Sequence, residues 1–191
     1  MRKWSFVPTV AFLTMALAFG ACASRPAPER ETETRYWLPY PVGTSWLLLQ
    51  GNNGPWGHEG KLAFAYDFKM PIASQVMAAR AGVVVKVEGR FEDANRTAGQ
   101  ENFIFVAHGD GTFGRYYHLT KDGPRVSAGA KVRAGDWIGR SGDTGASAGP
   151  HLHFDVTRDC PEWGCQTIAI SFANSTENPL VSGKTYEAIS R

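Results

Sequence analysis

Cysteine is scarce in this 191-residue sequence, with three in all. No second Cys or His pair lies near Cys160 and Cys165, which argues against a metal held by that pair. Charge of one sign is lacking too. The formal net charge is +2, and Arg2 and Lys3 are the only charged residues before Cys22. A chain starting at Cys22 therefore holds 20 − 2 = 18 basic and 18 acidic residues, and nothing in that balance points to nucleic acid. No apolar run reaches the roughly 20 residues of a bilayer span. The longest, Trp4 to Phe19, is broken by Ser5, Pro8, Thr9 and Thr14. No helical periodicity longer than two turns is present, and no internal repeat.

Glycine and proline are plentiful instead, 21 and 11, at turn-like spacings. That favours an all-β, β-rich fold: a compact antiparallel sheet or sandwich with a groove, long loops and few short helices. Residues 1–21 read as an export signal, with a basic start, the apolar run and a small-residue end at Gly20-Ala21. Phe19-Gly20-Ala21-Cys22 resembles a bacterial lipoprotein signal, which makes Cys22 the expected lipidated residue; cleavage before Ser24 is the alternative. Residues 22–35 are rich in Pro, Glu, Arg and Thr and read as a flexible tether, leaving 36–191 as the folded domain. With Cys22 set aside, Cys160 and Cys165 remain as a disulfide pair in an exported protein. The loop is so short that its closure contributes only about 2 kcal/mol.

Strands are expected at Trp46–Leu49, at Leu62–Phe68, at Gln75–Ala79 and Gly82–Glu88 joined by a turn, at Asn102–His108, and at Phe113–Leu119 behind a Gly109-Asp110-Gly111 hairpin turn. Leu62, Phe64, Tyr66 and Phe68 would share one face, and Ala63, Ala65 and Asp67 the other. On the return strand Tyr116 and His118 would face one way, Tyr117 and Leu119 the other. Thr144–Phe154 runs from a glycine-rich turn into His151-Leu152-His153-Phe154, with the two imidazoles on one side and the apolar pair on the other. Two adjacent imidazoles at the mouth of a turn suit one metal ligand beside one proton-transfer group. His58, Asp67, His118, His151 and His153 are the groups available for a zinc hydrolase, in which three protein ligands leave a fourth position for water.

In that order, with Tyr66-Asp67-Phe68, Val76-Met77-Ala78-Ala79, Tyr116-Tyr117-His118-Leu119, Gly135-Asp136-Trp137-Ile138-Gly139 and the His-Leu-His stretch, the sequence resembles the lysostaphin-type zinc metallopeptidases of bacterial peptidoglycan. The resemblance covers about Gln50 to Val156. It implies zinc ligands His58, Asp67 and His153, a proton-handling pair His118 and His151, and an antiparallel sheet beneath a groove. Tyr116, on the same expected strand face as His118, is a possible substrate or oxyanion contact or equally a packing residue, and His108 is a structural residue. Eight residues separate His58 from Asp67, a longer gap than the best-known relatives have.

The function so implied is a zinc-dependent endopeptidase cutting stem peptides or crosslinks, exported to the periplasm or cell envelope and lipid-anchored through Cys22, with peptidoglycan peptide as substrate. A non-catalytic wall-binding module that activates other hydrolases is the alternative. The presence of all five groups favours the enzyme. The turns of Val126–Gly139 also resemble lipoyl-type and phosphocarrier domains, whose partner systems do not lie outside the cytoplasm.

Overall fold

Stretches with a period of two become strands whose apolar members point to one side. Strand β10 (Leu152–Arg158) is the plainest case in the computed structural model, which describes residue 1 and residues 35–190. Leu152, Phe154 and Val156 are fully buried on one face, while His153, Asp155 and Thr157 occupy the other. Each such apolar side chain contributes about 1.5–3 kcal/mol when removed from water.

Ahead of β10 come β1 (Arg35–Tyr36), β2 (Ser45–Gln50), β3 (Tyr66–Lys69), β4 (Gln75–Met77), β5 (Gly82–Glu88) and β6 (Phe103–Ala107). They are followed by β7 (Thr112–Tyr117), β8 (Lys131–Val132) and β9 (Trp137–Arg140), and after β10 come β11 (Ser171–Phe172) and β12 (Thr185–Glu187). Eight of these form one sheet in the order β12-β2-β3-β10-β7-β6-β5-β8, antiparallel throughout. Two small pairs, β4–β9 and the parallel β1–β11, stand apart from it. One apolar core includes residues of all three sheets, among them Phe68 and Phe154 of the large sheet, Val76 and Ile138 of β4–β9, and Tyr36 and Phe172 of β1–β11. The mostly β, antiparallel architecture is the one expected.

The register of the large sheet matters most for function. Gln50, Asp67, His153, Tyr117 and Phe103 are successive cross-strand partners on β2, β3, β10, β7 and β6. Directly opposed residues share a face, so this row presents Asp67, His153 and Tyr117 side by side. The next row of the same face carries Asp155, Arg115 and Phe105.

Several local expectations are corrected. The strand expected over Leu62–Phe68 begins only at Tyr66, because Gly60–Leu62 forms a 3-10 turn and Ala65 N–H donates to Leu62 O. Trp46–Leu49 is a strand, but only Leu48 within it is fully buried, because β2 alternates its sides. Both β4 and β5 form, yet they join different sheets rather than a hairpin. The tether was expected to run through Arg35, which instead pairs with Ser171. The expected signal (1–21), lipidation at Cys22 and the rest of the tether lie outside the described residues. Among the described residues no helix is long and apolar enough to cross a membrane.

Candidate metal centre and groove

The 3-10 turn accounts for the long gap between His58 and Asp67. It folds the intervening residues back, so that His58 Nε2 lies 3.2 Å from Asp67 Oδ2. His153, the neighbour of Asp67 across β3 and β10, places Nδ1 2.9 Å from Asp67 Oδ1. One ligand atom from each of His58, Asp67 and His153 falls within 4.8 Å of the others. Two imidazole nitrogens and a carboxylate oxygen at that spacing are a donor set suited to zinc. His58 Nε2 is also buried, and its approach to Asp67 Oδ2 lacks hydrogen-bond geometry, which is costly for a polar atom unless something else binds it.

Each imidazole has its orientation fixed by a second partner. His58 donates from Nδ1 to Gly51 O at 3.0 Å, leaving Nε2 toward Asp67. His153 is turned the other way, with Nε2 donating to Asp155 Oδ2 at 3.2 Å. Asp155 in turn accepts two hydrogen bonds from Arg115, at 2.6 and 2.8 Å. Both members of that ion pair are almost wholly buried, and Arg115 donates further to the Glu162 carbonyl. A carboxylate behind a ligating imidazole is the usual means of holding such a ring in place.

His118 and His151 complete the cluster, with ring centroids 4.6 Å apart. His118 donates from Nδ1 to Thr144 O at 2.7 Å, and His151 from Nδ1 to Gly149 O at 2.8 Å. Both are therefore held with Nε2 as the open nitrogen; that of His151 is 3.8 Å from Asp67 Oδ1. Glycine is required in the turn that carries them. A Cβ at Gly142 would sit 2.3 Å from Thr120 N, and Gly145 has φ +74°. Ser147 adds a second contact to His151 Nδ1 at 3.2 Å and donates to Asp143, which is paired with Arg96.

Charge follows from this packing. Burial works to raise the Asp67 carboxyl, but the His153 and His58 rings outweigh it and hold it well below the usual carboxylate range. Burial works against a charged His153, yet its hydrogen bonds with Asp155 and Asp67 lift it to about 9. His118 is pushed down to about 3, by burial first and then by the neighbouring His151 and His153. His118 is thus a neutral ring with a free lone pair at ordinary pH.

Tyr116 takes the packing role of the two open to it. It is fully buried in the core, and its hydroxyl accepts from Ala79 N–H at 2.7 Å. Tyr117 faces the site instead, packing against His153 and Trp163 with its hydroxyl unpartnered. The alternation fails because His118 has φ +60°, a left-handed residue that turns its side chain to the Tyr117 side. His108 remains outside the cluster, bonded to Ala81 O and edge-on to Tyr36.

A groove of about 600 Å³ passes over the cluster, walled by Trp56 and Leu49 among others and by Trp163. Trp163 sits in the loop closed by the Cys160–Cys165 disulfide. Ala63 and Ala65, expected to share a strand face with Asp67, are not part of this lining. Asp155, Arg115 and Tyr117 were missed in the sequence. Asp155 carried a signal, since it continues the 151, 153, 155 alternation; Arg115 and Tyr117 emerge only from register.

A β-sheet presenting His, Asp and His donors beneath a groove, with two further imidazoles beside them, defines the class of metal-binding hydrolase folds. The comparisons make the assignment specific. The model described as peptidase family M23 matches residues 62–163, and the chain belongs to that family. The match includes Asp67, His118, His151 and His153, with His58 just ahead of it. The chain is 40% identical over 126 residues to peptidoglycan DD-endopeptidase ShyA of Vibrio cholerae, covering 64% of this chain and 27% of that protein. It is 36% identical over 128 residues to lysostaphin of Staphylococcus simulans, covering 66% and 22%. The chain thus spans about a quarter of the length of these curated relatives. Among solved structures, a zinc-containing peptidase from Vibrio cholerae superposes with a TM-score of 0.50 at 29% identity, over 65% of this chain and 37% of that one.

Proposed function

We propose that the chain is a zinc-dependent endopeptidase that hydrolyses peptide crosslinks of peptidoglycan, exported and held at the cell envelope by lipid on Cys22. The observation that carries this reading is the convergence of His58, Asp67 and His153 with two further imidazoles, all with fixed ring orientation, under one groove. His58 Nε2, one Asp67 oxygen and His153 Nδ1 would hold the metal. Zinc, when bound, supplies Lewis-acid polarisation of the scissile carbonyl and activation of water near neutral pH.

The chain's own groups do the rest. Water attacks the carbonyl carbon, the C–O bond forms, and a proton leaves the water for an open Nε2 of the histidine pair. His118 and His151 are placed to take it, each with Nδ1 bonded to a backbone carbonyl and Nε2 left open. The same pair returns the proton to the amide nitrogen as the C–N bond breaks, releasing an amine and a carboxylate. Burial, with Asp155 next, raises Tyr117, so its hydroxyl keeps its proton and can donate to a developing oxyanion. That is the part first expected of Tyr116. Trp56 and Trp163 border the groove and confine an extended peptide there.

The test is digestion of purified crosslinked muropeptide dimers, read by chromatography. Zinc-dependent conversion to monomers is expected, falling at least about a hundredfold in His151→Ala with zinc retained. Unchanged dimers with folded, zinc-loaded protein would favour the wall-binding module instead.

A further inference from the structure

Lys69 is the one lysine or arginine among the described residues that line the groove. It lies on β3, two residues beyond Asp67 and therefore on the same face of the strand. Its cross-strand partner on β2 is Leu47, whose own partner on β12 is Thr185. No carboxylate occupies that row. Among the described residues none lies within ion-pair distance of its ammonium, whereas Lys86, Lys121 and Lys184 are each paired with a glutamate. The other charged group of the lining outside the metal cluster, Glu101, is already engaged, accepting from the Gly99 and Ala146 N–H groups. Glu101 precedes β6, on the opposite side of β10 from Lys69. The groove therefore has an unmatched positive charge on its β3 side only.

We propose that Lys69 forms a carboxylate subsite that selects crosslinks bearing a free carboxylate beside the scissile bond. The inference rests on the endopeptidase reading above and supplies its substrate class. Two strand residues span about 7 Å, and an extended substrate has the same rise. A carboxylate met by Lys69 thus belongs one or two residues from the carbonyl placed over Asp67. Crosslinks built on a diamino dicarboxylic acid offer such a group: the carbon bearing the acylated amine also bears a free carboxylate, which a simple diamino acid such as lysine lacks there. A glycine bridge has none at that position. The long, flexible lysine stem reaches the carboxylate as a point charge, and a charge-assisted bond is stronger than a neutral one.

The test compares two purified muropeptide dimers, one with that carboxylate free and one with it converted to the amide. The wild type is expected to show kcat/KM about fivefold to tenfold higher on the free acid. Lys69→Ala abolishes the preference mainly through a raised KM on the acid, Lys69→Arg retains it, and Lys69→Glu reverses it. Equal rates on both dimers by the wild type, or a preference that survives in Lys69→Ala, overturns the subsite while leaving the endopeptidase reading intact. Cleavage of neither dimer by zinc-loaded wild type overturns both.

Discussion

Asp155 shows at the scale of a single residue how much the site depends on groups that do not touch a substrate. Its carboxylate is fully buried between His153 and Arg115. Burial would raise its pKa, but the His153 and Arg115 bonds outweigh that and keep it charged. Asp155→Asn retains the shape and loses the charge, leaving Arg115 buried and unpaired. A stability loss of about 3–5 kcal/mol is expected, with zinc affinity weakened about 10- to 100-fold in the protein that remains folded. Chelator competition measured well below the unfolding midpoint separates the two effects. Unaltered zinc affinity would mean that Asp155 does not position His153. At this scale the sequence was legible where chemistry and period coincide, as in His151-x-His153. It misled at Tyr116, since one left-handed residue at His118 reverses which tyrosine meets the groove.

Elements were legible in proportion to their alternation. The β6–β7 hairpin was expected from Gly109-Asp110-Gly111 and is present, with His108 N–H and Thr112 O paired across the turn. Leu62–Phe68 was misjudged because a 3-10 turn can carry the same apolar letters as a strand, and tertiary contacts at Thr167 decide between them; its hydroxyl accepts from Phe64 N–H. The hairpin also carries a pH dependence. Burial acts to raise Asp110, but the Thr112 hydroxyl and the Arg80 guanidinium outweigh it and hold the carboxyl well below the usual range. A depressed carboxylate stabilises the fold above its unfolded pKa, near 4, and that contribution is lost as pH falls below it. Asp110→Asn is therefore expected to lower stability at pH 7 and to flatten the acid limb of a stability-versus-pH curve. An acid limb as steep as the wild type's would show that Asp110 is not one of the groups responsible.

For the whole molecule, the antiparallel sheet was readable from turn spacing and β-forming runs, but its strand order was not. Placing β3, β10 and β7 side by side is what turns Asp67, His153 and Tyr117, spread over 67 to 153 in sequence, into one row. Cross-strand register depends on long-range pairing that a local pattern does not carry. The claim that all else rests on is that Asp67 and His153 of this row, with His58, hold one zinc. Its most direct test is metal analysis of purified protein after zinc loading and dialysis, for the wild type and for His153→Ala, with circular dichroism to show that both are folded. One zinc per chain in the wild type and almost none in folded His153→Ala is the predicted result. Stoichiometric zinc in His153→Ala, or none in the folded wild type, would contradict it.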